Sequence, residues 1–117
     1  MNKSDLLPLI GRGNYVGIRM APLACKVFRP DGKELDLRLD LHNHSPTGFE
    51  WGYGGSGPAQ LALALLAHMV GNDIALRYYQ LFKWQVVARL PSAGWALSPA
   101  TIQEALNEIM QKGSYQP

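Results

Sequence analysis

The hydrophobic pattern of this chain changes its period at a glycine-rich segment, Gly52 to Gly57. Before this segment, apolar and polar residues alternate, which indicates β-strands; after it, apolar residues recur at helical spacing. The alternation predicts strands over residues 16–20, 24–28 and 34–41, and a short one over 49–51. The helical spacing predicts helices over residues 58–70, 73–90 and 98–113. This order predicts an α+β fold, in which a small antiparallel sheet of three to four strands is packed on one face by three helices.

The most regular alternation lies between residues 34 and 41. Leucines occupy every second position there, and charged residues occupy the positions between them. A sheet that is buried on one face produces this pattern. We therefore expect the leucine face to lie under the first predicted helix; it consists of Leu35, Leu37, Leu39 and Leu41.

Residues with strong local preferences mark several element ends. Pro22 is expected to end the first strand. Pro58 is placed for the first turn of the first predicted helix, and Gly71 is placed to stop that helix. Ser98 followed by Pro99 is typical of a helix N-terminus.

Length and composition favour one domain over residues 1–117, with residues 1–13 as a loosely ordered lead-in. The chain has 117 residues, 47% of them apolar, and a net charge of +2. The single cysteine, Cys25, excludes an internal disulfide framework. The longest strongly apolar run, residues 61–70, is too short to span a membrane. With no secretory signal recognised, we expect a cytoplasmic protein.

The glycine-rich segment has the G-x-G-x-x-G spacing of phosphate-binding loops and lies between a predicted strand and a predicted helix. The second parallel strand of a dinucleotide-binding unit is missing, however, and no lysine or arginine occurs between Arg38 and Arg77. A tight turn, whose glycines give room to Trp51 and Tyr53, is therefore the favoured interpretation. The alternative is a nucleotide or other anion held by backbone N–H groups and a helix N-terminus. Its ligand-binding residues would be Gly52, Gly54, Gly55, Ser56 and Gly57.

Two blocks of sequence resemble an uncharacterised family of small bacterial, plasmid and phage proteins. The first block is HSPTGFEWGYGGSGPAQLALALL, residues 44–66. The second comprises Phe82-Lys83-Trp84, Leu90-Pro91 and Gly94-Trp95-Ala96-Leu97. The resemblance implies a mobile-genetic-element context and carries no activity with it. Small accessory proteins of such elements often bind host or defence components.

Other combinations of residues give only weak indications of chemistry. Asp40, His42 and His44 would share one face of a continuing strand, and Glu50 could complete a metal site with them. We favour a polar strand end, because three ligands so close in sequence rarely complete a coordination shell. No serine lies in a nucleophile-elbow pattern. Cys25 lies in an apolar strand, where a thiol behaves as a small hydrophobe. We therefore predict a non-enzymatic protein without a metal or a cofactor.

His68 lies on an apolar helix, and we expect a partly buried, hydrogen-bonded side chain rather than a base. Basic residues in the first third of the chain are followed at once by acidic ones, which argues against a nucleic-acid partner.

Several residues have the composition of a protein-contact hot spot. Trp84 lies off the main apolar stripe of the second predicted helix and beside Lys83. Exposed aromatic residues next to basic ones are enriched at protein interfaces. The contact candidates are Tyr53, Lys83, Trp84 and Arg29. Packing of Trp84 under the loop at residues 92–95 is equally consistent with the sequence.

The sequence thus predicts a non-enzymatic binding protein of a phage or plasmid. It would act by contact with a host or defence-system protein complex, for example as an inhibitor of CRISPR interference. The alternative is a small ligand-binding module that holds a nucleotide or other anion at the glycine-rich segment. The sequence leaves the partner and the oligomeric state open.

Overall fold

The computed structural model describes residues 1–21 and 24–113. Within them the strands are β1 (Tyr15–Ala21), β2 (Ala24–Phe28) and β3 (Gly94–Leu97). The helices are α1 (Lys3–Leu6), α2 (Ser56–Val70), α3 (Asn72–Gln85) and α4 (Pro99–Gly113), with short 3-10 helices at Leu7–Leu9 and Val87–Arg89. The predicted α+β class with a small antiparallel sheet is confirmed. Pro22, which was expected to end the first strand, lies outside the described residues.

The sheet has the strand order β2-β1-β3, and both pairings are antiparallel. Gly17 in the central strand lies opposite Val27 on one side and Trp95 on the other. Because directly opposed residues share a face and successive residues alternate, Tyr15 lies on this same face. Tyr15, Val27 and Trp95 are all buried in the main core, which they share with the helices. One face of the sheet therefore supports the helical layer.

Helix α2 lies at the centre of the core. Its residues from Gly57 to Ala67 are all buried, as expected for a helix that is apolar nearly all round. Helix α3 contributes Ala75, Tyr79 and Phe82 to the core, and α4 contributes Ile102, Leu106 and Ile109. None of the helices in the described part of the chain has the length and apolar character that a membrane span requires.

The N-terminal residues are folded, in contrast to the loosely ordered lead-in predicted for residues 1–13. The Asn2 side chain accepts a hydrogen bond from the Asp5 N–H, and the Asp5 carboxylate accepts one from the Asn2 N–H, which caps α1. Leu6 is fully buried in a second cluster with Val16 and Ile18. These β1 residues alternate with Tyr15 and Gly17, so they point to the opposite face of the sheet. The N-terminal segment therefore covers that face.

The strand predicted over residues 34–41 is wrong. Glu34 forms an isolated bridge with Phe28, and the Leu35 N–H donates to the Val27 carbonyl at 2.9 Å, but regular pairing ends there. Arg38 adopts a left-handed φ of 57°, which interrupts the strand alternation. Leu35 is consequently buried, whereas Leu39 is 39% exposed. The prediction that the leucine face is buried is correct for Leu35 and wrong for Leu39.

Three smaller predictions also need correction. Residues 49–51 are not a strand, and the Trp51 N–H donates instead to the Glu50 carboxylate at 3.1 Å. The second predicted helix ends at Gln85 and not at residue 90, because Val86 leaves helical geometry with φ −121°. Strand β3 was not predicted, although it pairs with β1 over four residues. The predicted start of the last helix is confirmed, since the Ser98 hydroxyl accepts from the Thr101 N–H at 3.0 Å.

Candidate functional site

The glycine-rich segment is a close-packed turn. A Cβ at Gly54 would overlap the ring of Trp84, and one at Gly55 would overlap the ring of Tyr53. A Cβ at Gly57 would lie 2.6 Å from the Cβ of Glu50. The bare backbone at these three positions therefore gives room to neighbouring side chains, as the favoured interpretation of the segment requires. The neighbours differ in part from those expected, because Trp84 rather than Trp51 lies on a glycine of the turn.

Gly52 fastens the start of this turn to the segment that follows α3. Its φ of +88° is a conformation that favours glycine. Its N–H donates to the Val87 carbonyl at 3.0 Å. The turn is therefore anchored to the segment just after α3, the helix that carries Trp84.

Helix α2 begins at the end of the turn, and its N-terminus borders a cleft of about 530 Å³. Ser56 and Gly57 line this cleft together with Glu50 and Lys26. Lys26 pairs with Glu34 at 3.1 Å, so the lysine in the cleft is already neutralised. The carboxylate of Glu50 lies beside the helix N-terminus. A carboxylate there disfavours a phosphate, because like charges repel. Among the described lining residues the positive group is Lys26, which is already paired with Glu34, so the geometry gives the anion-binding alternative no unpaired cation.

An ion pair connects the turn to the sheet. Arg19 donates to both carboxylate oxygens of Glu50 at 2.8 Å, and its Nε donates to the Ser92 carbonyl at 2.9 Å. The guanidinium lies over the ring of Trp51, with 5.2 Å from Cζ to the centroid. Hydrogen bonds from Arg19 hold the pKa of Glu50 below its usual range. The bidentate geometry fixes the residues before the turn against β1.

Cys25 lies beside this ion pair and lines the same cleft. Burial first, and then the charge of Glu50, raise the pKa of Cys25 to about 11. Its thiol is therefore protonated at neutral pH and is a weak nucleophile. This supports the expectation that Cys25 behaves as a small hydrophobe.

An exposed aromatic surface forms where the turn meets α3. Trp84 is 57% exposed and Tyr53 is 52% exposed, although both rings pack on glycines of the turn. The Nζ of Lys83 lies 4.5 Å from the centroid of the Trp84 ring, within cation–π distance. Leu81, which is three residues before Trp84 on the helix, is 48% exposed. We call Tyr53, Leu81, Lys83 and Trp84 the Trp84 patch.

Three of the four contact candidates therefore lie together, and Arg29 does not. Arg29 pairs with Asp31, and its charge acts on His68 near the C-terminal end of α2. His68 is twelve residues after Ser56, which corresponds to about 18 Å of helix. Arg29 is thus at the end of α2 opposite the Trp84 patch. Leu81 was missed by the sequence reasoning; its position off the apolar stripe of the helix is the signal that could have identified it.

The histidines have structural partners. The His44 Nε2 lies 2.7 Å from the Tyr79 hydroxyl, and its ring centroid lies 4.0 Å from that of His42. Asp40 pairs with Arg38 and Glu50 pairs with Arg19. No group of three metal-ligating side chains comes together among the described residues. The four candidate ligands are not brought together, and the absence of a metal requirement stays a prediction.

His68 forms the hydrogen bond expected of it. Its Nδ1 lies 2.5 Å from the Tyr15 hydroxyl, and the two rings meet edge to face. The residue as a whole is exposed, whereas its hydrogen bond with Tyr15 is partly buried. Burial raises the pKa of the Tyr15 hydroxyl to about 12, so this hydroxyl stays protonated across the neutral range.

The two hydrogen-bonded histidines make stability depend on pH. Burial and then the charges of His42 and Lys83 lower the pKa of His44, and burial and then the charge of Arg29 lower the pKa of His68. The unfolded chain therefore binds protons more readily than the folded chain. Stability is fully present above the unfolded histidine pKa of about 6.5 and falls as the pH drops below it.

We expect the melting temperature to decrease between about pH 7 and pH 5, above the range in which carboxylates titrate. The double variant His44→Gln/His68→Gln should flatten this decrease, because it removes both groups. Thermal melts monitored by circular dichroism at several pH values measure the effect. An equally steep decrease in the double variant would show that other groups cause it.

A family model described as a family of unknown function, DUF6166, matches residues 15–108. The chain belongs to this family. The DUF6166 match begins at the first residue of β1 and ends within α4, so it includes the Trp84 patch and both sequence blocks. Membership of an uncharacterised family is thereby confirmed, whereas a plasmid or phage origin stays a prediction. Comparisons with curated proteins and with solved structures gave no match.

Proposed function

We propose that this DUF6166 protein is a non-enzymatic binding protein that contacts a partner protein through the Trp84 patch. The observation that carries the proposal is the exposure of Trp84. Trp84 is 57% exposed, yet its ring packs on the Gly54 backbone and lies 4.5 Å from the Lys83 ammonium group. A large aromatic side chain held rigid at the surface loses little conformational freedom on binding, which is characteristic of interface hot spots.

The surroundings of Trp84 extend this surface. Tyr53 adds a second exposed ring, and Leu81 adds an exposed aliphatic group. Contiguous exposed apolar groups of this kind mark interaction sites more often than single exposed residues do. The proposal therefore predicts that the patch acts as one unit.

The charge of the patch favours an acidic partner. Lys83 is 8% exposed and has no carboxylate partner among the described residues. Residues 72–89 contain one acidic side chain, Asp73, against three basic ones, Arg77, Lys83 and Arg89. A partner that carries acidic groups and places an apolar group on Trp84 would satisfy both features.

Candidate catalytic groups are engaged in local structure, which supports a non-enzymatic role. The Ser45 hydroxyl donates to the Gly48 carbonyl at 2.6 Å. The imidazole of His44 is bonded to Tyr79. The thiol of Cys25 has a raised pKa. Each group has a local bond or environment that gives it a structural role, and the raised pKa of Cys25 makes this thiol a weak nucleophile.

The test is capture of a partner from a bacterial lysate by the wild-type protein and by the Trp84→Ala variant. We expect a prey protein that the wild type retains and that Trp84→Ala binds at least about tenfold more weakly, since hot-spot truncation costs about 2 kcal/mol or more. Leu7→Ala is the matched control, because Leu7 is 47% exposed and belongs to the N-terminal segment. Equal loss in both variants would contradict the proposal. A saturable shift of melting temperature with one nucleotide, and no prey, would instead favour the ligand-binding module.

The partner that we propose is a host or defence-system protein complex, such as one that performs CRISPR interference. This choice of partner rests on the resemblance of the two sequence blocks to proteins of mobile elements. Expression of the protein in cells with an active CRISPR system should raise the transformation efficiency of a targeted plasmid, and Trp84→Ala should not. Unchanged efficiency across the system types tested would contradict the CRISPR form and leave the protein-contact proposal to the capture experiment.

A further inference from the structure

The outer edge of β2 is covered along only part of its length. Strand order places β2 at one side of the sheet, with β1 on its inner side. The Val27 carbonyl points outward, because it accepts from the Leu35 N–H at 2.9 Å. Backbone groups two residues apart on a strand point the same way, so the N–H and C=O of Cys25 also point outward. Among the described residues, no backbone group pairs with Cys25 on this side.

Two adjoining cavities follow this open edge. The larger has a volume of about 530 Å³ and the smaller about 240 Å³. Both are lined by Cys25, Lys26, Gly48 and Phe49, so they form one groove between β2 and the segment that precedes the glycine-rich turn. We call this the edge groove.

The two cavities differ in chemistry. The smaller one has aliphatic walls from Val27, Leu35 and Leu37, and the paired side chains of Lys26 and Glu34 also line it. The larger one combines Phe49 and Met20 with the hydroxyls of Ser45 and Thr47. An apolar side chain fits the first, and an apolar side chain with a polar end fits the second.

We propose that an extended segment of a partner protein adds to β2 as a further strand in the edge groove. Its backbone would pair with the N–H and C=O of Cys25, and two of its side chains at alternate positions would occupy the two cavities. An extended chain is the ligand that supplies backbone donors and acceptors in the required alternation. The chain covers the Val27 end of this edge with its own residues Glu34 and Leu35 and leaves the Cys25 end open. Tyr53 lines the larger cavity, so the edge groove adjoins the Trp84 patch. The inference goes beyond the proposed function, and the edge groove shares Tyr53 with the Trp84 patch.

The first test uses a phage-displayed library of random dodecapeptides as the probe. We expect enriched peptides with apolar residues at alternate positions. The Cys25→Pro variant should bind the most enriched peptide at least about tenfold more weakly than the Cys25→Ala variant, which loses the thiol but keeps the backbone N–H. Proline removes only an outward N–H at this position, which an edge strand tolerates. Thermal melts establish that the proline variant is folded. Absence of enrichment, or equal binding by both variants, would overturn the proposal.

A second test leaves the protein unchanged in case Cys25→Pro does not fold. Each backbone nitrogen of the selected peptide is methylated in turn. Strand addition predicts that methylation at alternate positions abolishes binding while methylation at the positions between them is tolerated. Tolerance at every position would overturn the inference. Trp84→Ala should leave peptide binding unchanged, so this result is independent of the proposed function.

Hydrogen exchange provides a third readout. It distinguishes the two possible occupants of the β2 edge, a segment of a partner protein and a second copy of this chain. In the free protein, the amide of Cys25 should exchange fast and that of Lys26, which faces β1, should exchange slowly. Addition of the selected peptide should protect Cys25. A dimer in solution that already protects the Cys25 amide would assign the edge to self-association and overturn the proposal.

Discussion

Replacement of Gln60 by leucine should destabilise the protein by about 3–5 kcal/mol, the largest effect that we expect from one polar side chain. Gln60 is fully buried within α2. Its Oε1 accepts from the N–H groups of His44 and Ser45 at 2.8 and 3.0 Å. Its Nε2 donates to the carbonyls of Leu37 and His42 at 2.6 and 3.0 Å. Leucine would leave these four backbone groups without that partner, and each unpaired buried group costs about 1–3 kcal/mol where water cannot reach it.

The measurement is chemical denaturation, with Gln103→Leu as the matched control. Gln103 lies on α4, and its Nε2 donates to the exposed Asn107 side chain at 2.9 Å. The same substitution there should change stability by less than about 0.5 kcal/mol. Comparable effects at the two positions would show that the Gln60 hydrogen bonds contribute little.

The variant Gln60→Glu tests the two halves of this network separately. The introduced carboxylate can still accept from His44 and Ser45, but it faces the carbonyls of Leu37 and His42 without a donor. Its pKa should be raised by burial and by these carbonyls. The penalty should therefore decrease as the pH falls through this raised pKa, because the protonated carboxyl regains one donor.

Replacement of Gly17 by alanine should cost about 2–4 kcal/mol, although alanine is normally the better residue within a strand. Gly17 lies opposite Trp95 in the neighbouring strand. A Cβ at Gly17 would overlap the indole ring of Trp95. The ring has little space to move, because Trp95 is 3% exposed and meets Trp51 edge to face with 5.5 Å between centroids.

A double-mutant cycle isolates this contact. In a Trp95→Ala background, which is itself strongly destabilised, Gly17→Ala should be neutral or stabilising, since the ring is gone and the strand preference remains. Unfolding free energies of the four proteins give the coupling. A cost of Gly17→Ala that is the same in both backgrounds would show that the ring is not its cause.

The sequence determined the elements whose signals are local. Apolar spacing and end residues located α2, α3 and α4, and the start of α4 at Ser98 and Pro99 agrees with the structure. Strands β1 and β2 were likewise predicted from alternation. These signals suffice because helix caps and amphipathic periodicity act within a few residues.

The tertiary structure decided the backbone conformation of residues 34–45. Their alternation is as regular as that of any strand, but the backbone after Leu35 turns at Arg38 and bonds to Gln60. Gln60 was visible as a polar residue within an apolar run, yet its partners lie 15 to 23 positions away in the sequence. Backbone groups pair wherever a buried partner is available, so a side chain from α2 replaced the neighbouring strand that the pattern implied.

The same distinction applies to the candidate site. Composition identified Tyr53, Lys83 and Trp84 as contact residues, but it gave equal weight to a buried Trp84. The exposure of this ring depends on its contact with Gly54, thirty residues earlier in the chain. Likewise, the edge of β2 is open because backbone pairing with this strand ends at Leu35 and because Phe49 lies across a cavity from Cys25. Exposure and edge pairing are consequences of which distant segments pack together, and a single sequence contains no local signal for that choice.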